Sequence, residues 1–583
     1  MNKDNVNKIL IATAFPIYGA GSGILVSLQT AYHKMFGKEV HIITANNRDD
    51  FPKQEGVGYT VVPFTSEVPG SPKLPNAAPF NYLMFTTHTE STENFWNIGL
   101  KELEIYNETF EKTLKKEIET FKPDLIHAQH NWLLSSLCTK FNLPVVTTVH
   151  GTDLIGYEKS LDYLEKINRD LEANIDFKYY GYIATIFAKP KITYNEIEKA
   201  KEEYNKKDLT TEEIVKGELL FNLFENKAKY EYYIEEAENS ARKSDRIIII
   251  SDAQMEKFHK LFPFAKDNVV LAENGFDERV YHLEEPKDTD RDIIDRINQK
   301  VEKGIDDGLI DIGSIKNEGK FGNIPKDSDF YGLFVGKFAD FKGIDALLMA
   351  MKIYSEEIRK QGKVITSIIV GSGKLNDNYL TLHEKLGLSD VKFMGKATPN
   401  EIHELQKISS FKFVPSREEP FGLVVPEGCA DGIPVIGANS GGIPSILKAD
   451  KENLPDEDLI RTKLGILFRT LPKRPNNIAD AEKDQLLELD LAAAEYIFDN
   501  KKEESIAKLI EMFEMTEDEA KEYLESYEKS VRLIAKAALK VLNGEEKFEK
   551  KELADYISNK YGQNKKEEQL LNIFNDAYLN HNK

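Results

Sequence analysis

The sequence predicts an α/β protein of two successive Rossmann-like domains, and three observations lead there. Short, mostly apolar runs, among them Ile9–Ala14, LPVVTTV and Phe411–Val414, alternate with helix-periodic segments, as parallel strands joined by crossover helices do. The chain has 583 residues, whereas single hydrophobic cores stop growing near ~250–300 residues. Strand ends repeatedly run into glycine-bearing loops, the places where open α/β sheets bind ligands. The expected division is a first domain over residues 1–272 with a helical insertion at about 156–241, a second over 273–560, and a terminal helix over 561–583 that returns to the first.

Composition narrows the partners. With 41% hydrophobic and 10% aromatic residues there is material for real cores, and a formal net charge of −21 argues against nucleic acid or an anionic membrane, since both repel an acidic surface. The two cysteines, Cys138 and Cys429, have no disulfide or metal-ligand spacing and point to a reducing cytoplasm. The opening MNKDNVNKILIATAF passes from polar residues into a short strand and has neither signal-peptide nor membrane-span character.

Ile9–Ala14 leads into FPIYGAGSGILVSLQTAYHKMFGKEVHIITA, a glycine loop, an amphipathic helix and a second strand. A dinucleotide fingerprint would need glycine at Ile24 and an acid near Thr44, and neither is present. PDLIHAQHNWLLSSL supplies another strand and a helix start, with His127 and His130 as lining or structure, and LPVVTTVHGTDL a strand ending at His150. The insertion that follows is charged and tyrosine-rich; its Leu, Tyr and Phe stripe either packs on its own first domain, covering the acceptor pocket, or meets a second copy of the chain, the reading favoured because the polar runs around it resemble an interface rim. SDRIIIISD closes the first domain. Asn274, Gly275 and Asp277 mark the passage to the second, and the Asp288, Thr289, Asp290 run beyond them imitates a metal-binding Asp-x-Asp without the strand such a motif needs.

The second domain opens with YGLFVGKFADFKGIDALLMAM, which places Lys337 and Lys342 in a strand-end loop. The Gly-Ser-Gly-Lys of VITSIIVGSGKL is no P-loop, since Ile368 and Leu375 stand where glycine and a hydroxyl residue are required; it is a strand-end turn at Gly371. VKFMGKATPNEIHEL gives a strand with Met394 near its end. The richest stretch is PSREEPFGLVVPEGCADGIPVIGANSGGIPSI. Pro426 suits a first helical turn, Gly432 the left-handed position past its end, and Gly441 and Gly442 a second strand-end loop. Glu419 in the loop and Glu427 in the helix are placed to accept hydrogen bonds from hydroxyls at opposite ends of one ligand. Between them the N–H groups of Phe421, Gly422 and Leu423 form a helix N-terminus suited to phosphate oxygens. The implied ligand is polyhydroxylated and carries a diphosphate.

This stretch resembles the Glu-x7-Glu signature of retaining GT-B glycosyltransferases of the family 4 type, which lie near the glycogen- and sucrose-forming enzymes. The resemblance implies two Rossmann-like domains facing across a cleft, with a nucleoside diphosphate sugar such as UDP-glucose as co-substrate, no resident cofactor and no metal. It implies transfer of a hexosyl group, with retention, to a soluble hydroxyl-bearing acceptor. By position, His150 would meet the outer hydroxyl of the donor sugar, Glu419 the other sugar hydroxyls and Glu427 the ribose. Lys337 and Lys342 would grip the diphosphate, Lys337 replacing a commoner Arg and so keeping the charge but not the planar fork. Gly21 and Gly23 would let the backbone approach donor and acceptor, and Gly371 and the backbone near Met394 would line the donor. No side chain stands out as a base, which fits a front-face reaction in which a leaving phosphate oxygen takes the acceptor proton. A nucleotide-sugar epimerase of the same shape and a catalytically silent sugar-nucleotide-binding subunit share these features.

Overall fold

The computed structural model describes residues 5–17, 21–46, 51–64, 80, 82–85, 93–189, 192–284, 288–306, 323–447, 458–475 and 483–583. They form two compact units, Met1–Glu273 with Lys566–Lys583, and Asn274–Lys565. Each contains one seven-stranded sheet.

In the first unit the strands are β1 (Lys8–Thr13), β2 (Glu39–Thr44), β3 (Gly58–Val61), a small pair β4 (Leu83–Met84) and β5 (Glu93–Asn94), β6 (Leu125–Gln129), β7 (Val145–Val149), β8 (Arg246–Ile249) and β9 (Val269–Leu271). The main sheet runs β3-β2-β1-β6-β7-β8-β9, all parallel. Strand order reverses between β1 and β6, so the chain leaves these neighbours toward opposite sides and opens a crevice at their C-terminal ends. β1, β6 and β7 are buried along nearly their whole length, which is why they read as apolar runs rather than alternating ones.

The insertion between β7 and β8 is helical: Thr152–Glu172, Tyr180–Phe187, Tyr194–Asn205 and the long Thr211–Lys243. Thr210 starts the last of these with a capping box, its hydroxyl accepting from Glu213 N–H while the Glu213 carboxylate accepts from Thr210 N–H. Much of the apolar stripe is buried within its own unit. Phe221, Phe224, Tyr230, Tyr233 and Ala237 are buried in the core of their own unit. Tyr233 donates to the Phe95 carbonyl at 2.7 Å, and the buried Lys229 ammonium to those of Trp96 and Ile98 at 3.0 and 2.9 Å. These contacts stitch the insertion to the segment before helix Leu100–Phe121, while Ile175, Ile214, Val215 and Leu219 stay exposed. The terminal helix Gln563–His581 also joins this unit, with Glu567 against His33, Asn575 accepting from the Asn5 and Val6 N–H groups, and Asp576 paired with Arg246.

The second unit holds β10 (Phe330–Val335), β11 (Ile365–Val370), β12 (Val391–Gly395), β13 (Phe411–Val414), β14 (Val435–Ala438), β15 (Leu459–Arg461) and β16 (Gly465–Phe468), ordered β12-β11-β10-β13-β14-β16-β15, with only β15 antiparallel. Its order reverses between β10 and β13. Helix Ile344–Lys360, buried on most of its surface, and helix Glu517–Leu542 pack together against this sheet in one core. The two loops at the reversal touch backbone to backbone. Gly343 adopts φ 68°, and a Cβ there would lie 2.1 Å from the Pro415 carbonyl oxygen, so both its conformation and its space require glycine.

Candidate functional site

The loops after β10 and β13 bring the predicted residues of the second unit together. Lys342 Nζ donates to Glu419 Oε2 at 2.5 Å, and Ser416 Oγ donates to the same oxygen at 3.1 Å. Glu419 is 7% exposed, a carboxylate taken out of water and compensated by one ammonium and one hydroxyl. Its carbonyl accepts from Gly442 N–H at 2.9 Å, and a Cβ on Gly441 would lie 1.9 Å from that same oxygen, so the paired glycines let the loop after β14 close under Glu419. Glu427 lies in helix Val424–Ala430, which Gly432 follows at φ 78°. The N–H groups of Phe421, Gly422 and Leu423 have no acceptor among the described residues.

What fixes Lys342 beside Glu419 was missed from the sequence. The Arg417 guanidinium holds the buried Asp345 carboxylate with both Nη atoms, and its Nη1 donates to the Asp340 carbonyl at 2.7 Å. Arg474 meets Asp340, Asp345 and Asp490, and Tyr527 donates to Asp345. One side of this network belongs to the loop carrying Lys342, the other to the loop carrying Glu419. Burial alone would raise the Asp345 carboxyl, but Arg417 and Arg474 outweigh it and hold it well below the usual carboxylate range. Burial and repulsion from Asp345 and Asp340 push Asp490 up to about 7 against the pull of Arg474. Arg417 stands inside the motif stretch and was readable; Arg474 and Tyr527 arrive from distant segments with no local signal.

Lys337 follows β10 and is exposed, yet its ammonium lies close enough to protein atoms that partial desolvation lowers its pKa, with Lys374 and Lys396 adding like-charge repulsion. Backbone bonds Gly336 N–H to Val370 O (3.0 Å) and Gly371 N–H to Gly395 O (2.7 Å) tie the three lysine-bearing loops together. Gly371, at φ 143°, leaves no room for a side chain, since a Cβ would lie 1.8 Å from the Gly336 carbonyl. Met394 is buried within β12. Asp288 pairs with Arg296 at 2.8 Å, and Thr289 hydrogen-bonds Asp292 at the start of helix Asp290–Asp306, which is the solvated role expected of them.

In the first unit the corresponding strand ends carry histidines. His150 Nε2 lies 2.8 Å from Gln129 Oε1. Gln129 Nε2 lies 3.2 Å from His127 Nε2, which also meets Thr148 Oγ1 at 2.8 Å. In this arrangement Gln129 accepts from His150 Nε2–H and donates to His127; with burial holding the His150 ring neutral, its Nδ1 is then the unprotonated acceptor. Burial pushes His150 down to about 4 and lowers His127 and His130 well below the ordinary histidine value. Asp153 accepts from the Asn131, Gly151 and His150 N–H groups at 2.7, 2.8 and 3.2 Å, and burial nevertheless pushes it up to about 6. His130 stands at φ 70°, with its ring 4.5 Å from that of His150 and both ring nitrogens buried without a partner among the described residues. His130 was read as lining or structure, and Gln129, polar at the end of an otherwise apolar strand, was the missed residue. Gly21 and Gly23 are not in a loop, because helix Gly21–Met35 begins at Gly21. Gly23 serves packing, since a Cβ there would lie 2.3 Å from the Pro16 carbonyl. Gly19, of the same predicted loop, lies outside the described residues.

Two family models match the chain: the model described as Glycosyl transferases group 1 over residues 316–456, and that described as Glycosyltransferase Family 4 over residues 25–188. An uncharacterized glycosyltransferase of Methanocaldococcus jannaschii is 34% identical over 133 residues, 22% of this chain and 35% of its own length. A D-inositol 3-phosphate glycosyltransferase of Corynebacterium diphtheriae is 29% identical over 153 residues, 23% of this chain and 36% of its own length. The match thus spans about a third of these curated relatives. Among solved structures, sucrose-phosphate synthase from Thermosynechococcus elongatus superposes with a TM-score of 0.46 at 13% identity, over 92% of this chain and 97% of its own. That likeness is too low to build on, and the fold rests on the two parallel sheets and the two family models. Together these are features shared with glycosyltransferases that have two Rossmann-like halves. Within that class the two models make the chain similar to the family 4 type of GT-B glycosyltransferases.

Proposed function

We propose that the protein transfers a hexosyl group from a nucleoside diphosphate sugar to a hydroxyl acceptor with retention of anomeric configuration, meeting the diphosphate charge with lysines and backbone amides rather than with a metal ion. The observation that carries this is the Lys342–Glu419 pair at the strand-order reversal of the second sheet, beside the unfilled N–H groups of Phe421, Gly422 and Leu423. A pair of opposite charges held ready there offers a cation to a diphosphate and a carboxylate to sugar hydroxyls, each released by the other's ligand. Glu427 would accept the two ribose hydroxyls. His150, as a neutral acceptor, would take a hydrogen bond from the outermost sugar hydroxyl.

In the reaction the bond from the anomeric carbon to the leaving phosphate oxygen breaks while the acceptor oxygen bonds to the same face. The acceptor proton passes to that phosphate oxygen, so no protein base is needed. Lys342 and Lys337 stabilise the charge that gathers on the departing diphosphate, where fixed charges act most strongly. The soluble acceptor and cytoplasmic setting belong to the same proposal, supported by two free, buried cysteines. Among the described residues no helix is long and apolar enough to cross a membrane.

The test is incubation with UDP-, GDP- and ADP-sugars, with and without a panel of sugar and polyol acceptors, in the presence of EDTA. Acceptor-dependent release of nucleoside diphosphate and an α-linked product from an α-linked donor support the reading. A changed sugar without acceptor makes the protein an epimerase, and binding without turnover makes it a silent subunit.

A further inference from the structure

Lys412 takes no part in the chemistry above, yet its placement is elaborate. It sits in β13, between β10 and β14, where a strand covered on both faces calls for an apolar residue, and it is completely buried. Its ammonium donates to Gln406 Oε1 at 2.6 Å and lies 4.0 Å from Glu427 Oε2. The orientation of Gln406 is forced, because a lysine can meet only its oxygen. Gln406 Nε2 is then left to donate to Asp431 Oδ2 at 2.5 Å, an oxygen that His403 Nδ1 also faces at 2.9 Å. The helix above leaves a gap for the lysine stem: a Cβ on Gly428 would lie 2.9 Å from Lys412 Cδ. Glu427 itself keeps 18% of its side-chain surface open, so it faces the lysine on one side and is reachable by a ligand on the other.

Stability does not account for such a residue. Buried ion pairs are often matched or bettered by well-packed apolar residues of similar volume. We propose that Lys412 is a positioning residue for donor recognition, whose buried ammonium keeps Glu427 ionised and aimed so that both carboxylate oxygens accept hydroxyls of the donor's ribose. This rests on the reading that Glu427 binds the ribose. The remaining neighbours work against an ionised Glu427. Burial is the main cause that pushes it up to about 7, Asp431 at the end of its helix and Asp277 after the unit boundary add repulsion, and Lys412 alone of the groups that shift it pulls the other way. Tyr281, beside Glu427, Asp431 and Asp277, is raised by burial and stays neutral, and Cys429 is pushed up to about 12 and is neutral as well.

The experiment compares the full-length protein with Glu427→Gln, Lys412→Met and the double variant. Calorimetry gives the affinity for whichever of UDP, GDP and ADP the unaltered protein binds tightest, from pH 6 to pH 9, and a melting curve is taken for each. Lys412→Met is expected to bind about tenfold more weakly at pH 7, the effect of moving one titration by about one unit. It should regain most of that by pH 9, melt no lower than the parent, and add nothing to Glu427→Gln. Weakening by Glu427→Gln with normal binding by Lys412→Met overturns the role of the lysine and leaves the ribose reading standing. Normal binding by Glu427→Gln removes the ribose reading itself. A loss by Lys412→Met that is equal at every pH and accompanied by a lower melting temperature also overturns the proposal, since that is a merely structural lysine. Should Lys412→Met not fold, Gly428→Ala, which crowds the stem, is expected to give a smaller loss with the same recovery at high pH, and unchanged binding there counts against it equally.

Discussion

The ends of the two sheets are built on opposite electrostatic plans. In the second unit charge is kept and matched, Lys342 with Glu419, Arg417 with Asp345, and Lys412 beneath Glu427. In the first unit charge is removed, because burial holds His127, His130 and His150 neutral and Gln129 and Thr148 link two of them through uncharged hydrogen bonds. The topology is the same, a parallel sheet whose order reverses at its first strand, so the fold does not choose between the plans. The side chains at the strand ends do. A diphosphate needs fixed cations, while a sugar needs neutral groups that both donate and accept.

The largest effect expected from breaking this contrast is on stability. Arg417→Ala strips the buried Asp345 of its bidentate partner and severs the tie between the loops of Lys342 and Glu419. Leaving one member of a buried pair uncompensated costs about 3–5 kcal/mol. Chemical denaturation should show that loss in the second unit, and a loss below about 1 kcal/mol would mean that Arg474 and Tyr527 carry Asp345 unaided. Next comes turnover. Lys342→Ala is expected to lower the rate about 100- to 1000-fold, as loss of a single transition-state donor does, with the melting curve changed far less. A rate loss no larger than the fraction unfolded would take Lys342 out of the mechanism.

Much of the second unit's site was legible because a single stretch, 415–446, carries both glutamates, the glycines and the helix signals within one loop-helix-strand turn. Arg474, Asp490 and Tyr527 were not, since their only reason for being polar is a network closed in three dimensions. Lys412 was visible as a charge inside the run FKFV, but a strand reading treats one lysine as noise unless Gly428 and Gln406 are known to surround it. In the insertion the apolar stripe was real, but sequence cannot say which surface a stripe covers; here much of it lies in the core of its own unit, while Ile175, Ile214, Val215 and Leu219 stay exposed.

Acidification should separate the two units without any mutation. His127, His130 and His150 have folded values below the ordinary one, so between about pH 6.5 and pH 4 the unfolded chain binds more protons, and the stability present above that window is lost as pH falls through it. For His150 alone the loss is on the order of 3 kcal/mol by pH 4. Asp153, pushed up to about 6, opposes this by taking up its proton first in the folded state. In the second unit Glu427 and Asp490, both near 7, are raised acids whose destabilising ionisation is relieved over the same fall. Hydrogen exchange read unit by unit at pH 7 and pH 5 should show protection dropping in the first unit and holding or rising in the second. Parallel changes would mean that the histidines are not held neutral.

The smallest effect tests whether the first unit's opening glycines meet substrate at all. Gly23 and Gly21 stand two positions apart in one helical turn but in different surroundings. A Cβ on Gly23 would lie 2.3 Å from the Pro16 carbonyl oxygen and 2.8 Å from the Ile17 carbonyl carbon, both backbone atoms that cannot swing aside, whereas a Cβ on Gly21 meets nothing within 4 Å among the described residues. Gly23→Ala must therefore displace the segment after β1 and should cost about 1–3 kcal/mol, the range for overpacking a tight contact. Gly21→Ala adds no clash and removes backbone freedom from the unfolded chain, so its midpoint should match the parent or rise by up to about 1 kcal/mol. If packing is all that these glycines do, Gly21→Ala will also keep the parent's KM and turnover for donor and acceptor. A fall in either parameter in a variant that folds at least as well would show a ligand approaching the Gly21 backbone where the alanine methyl now stands, and would give the neutral first unit a direct part in holding substrate.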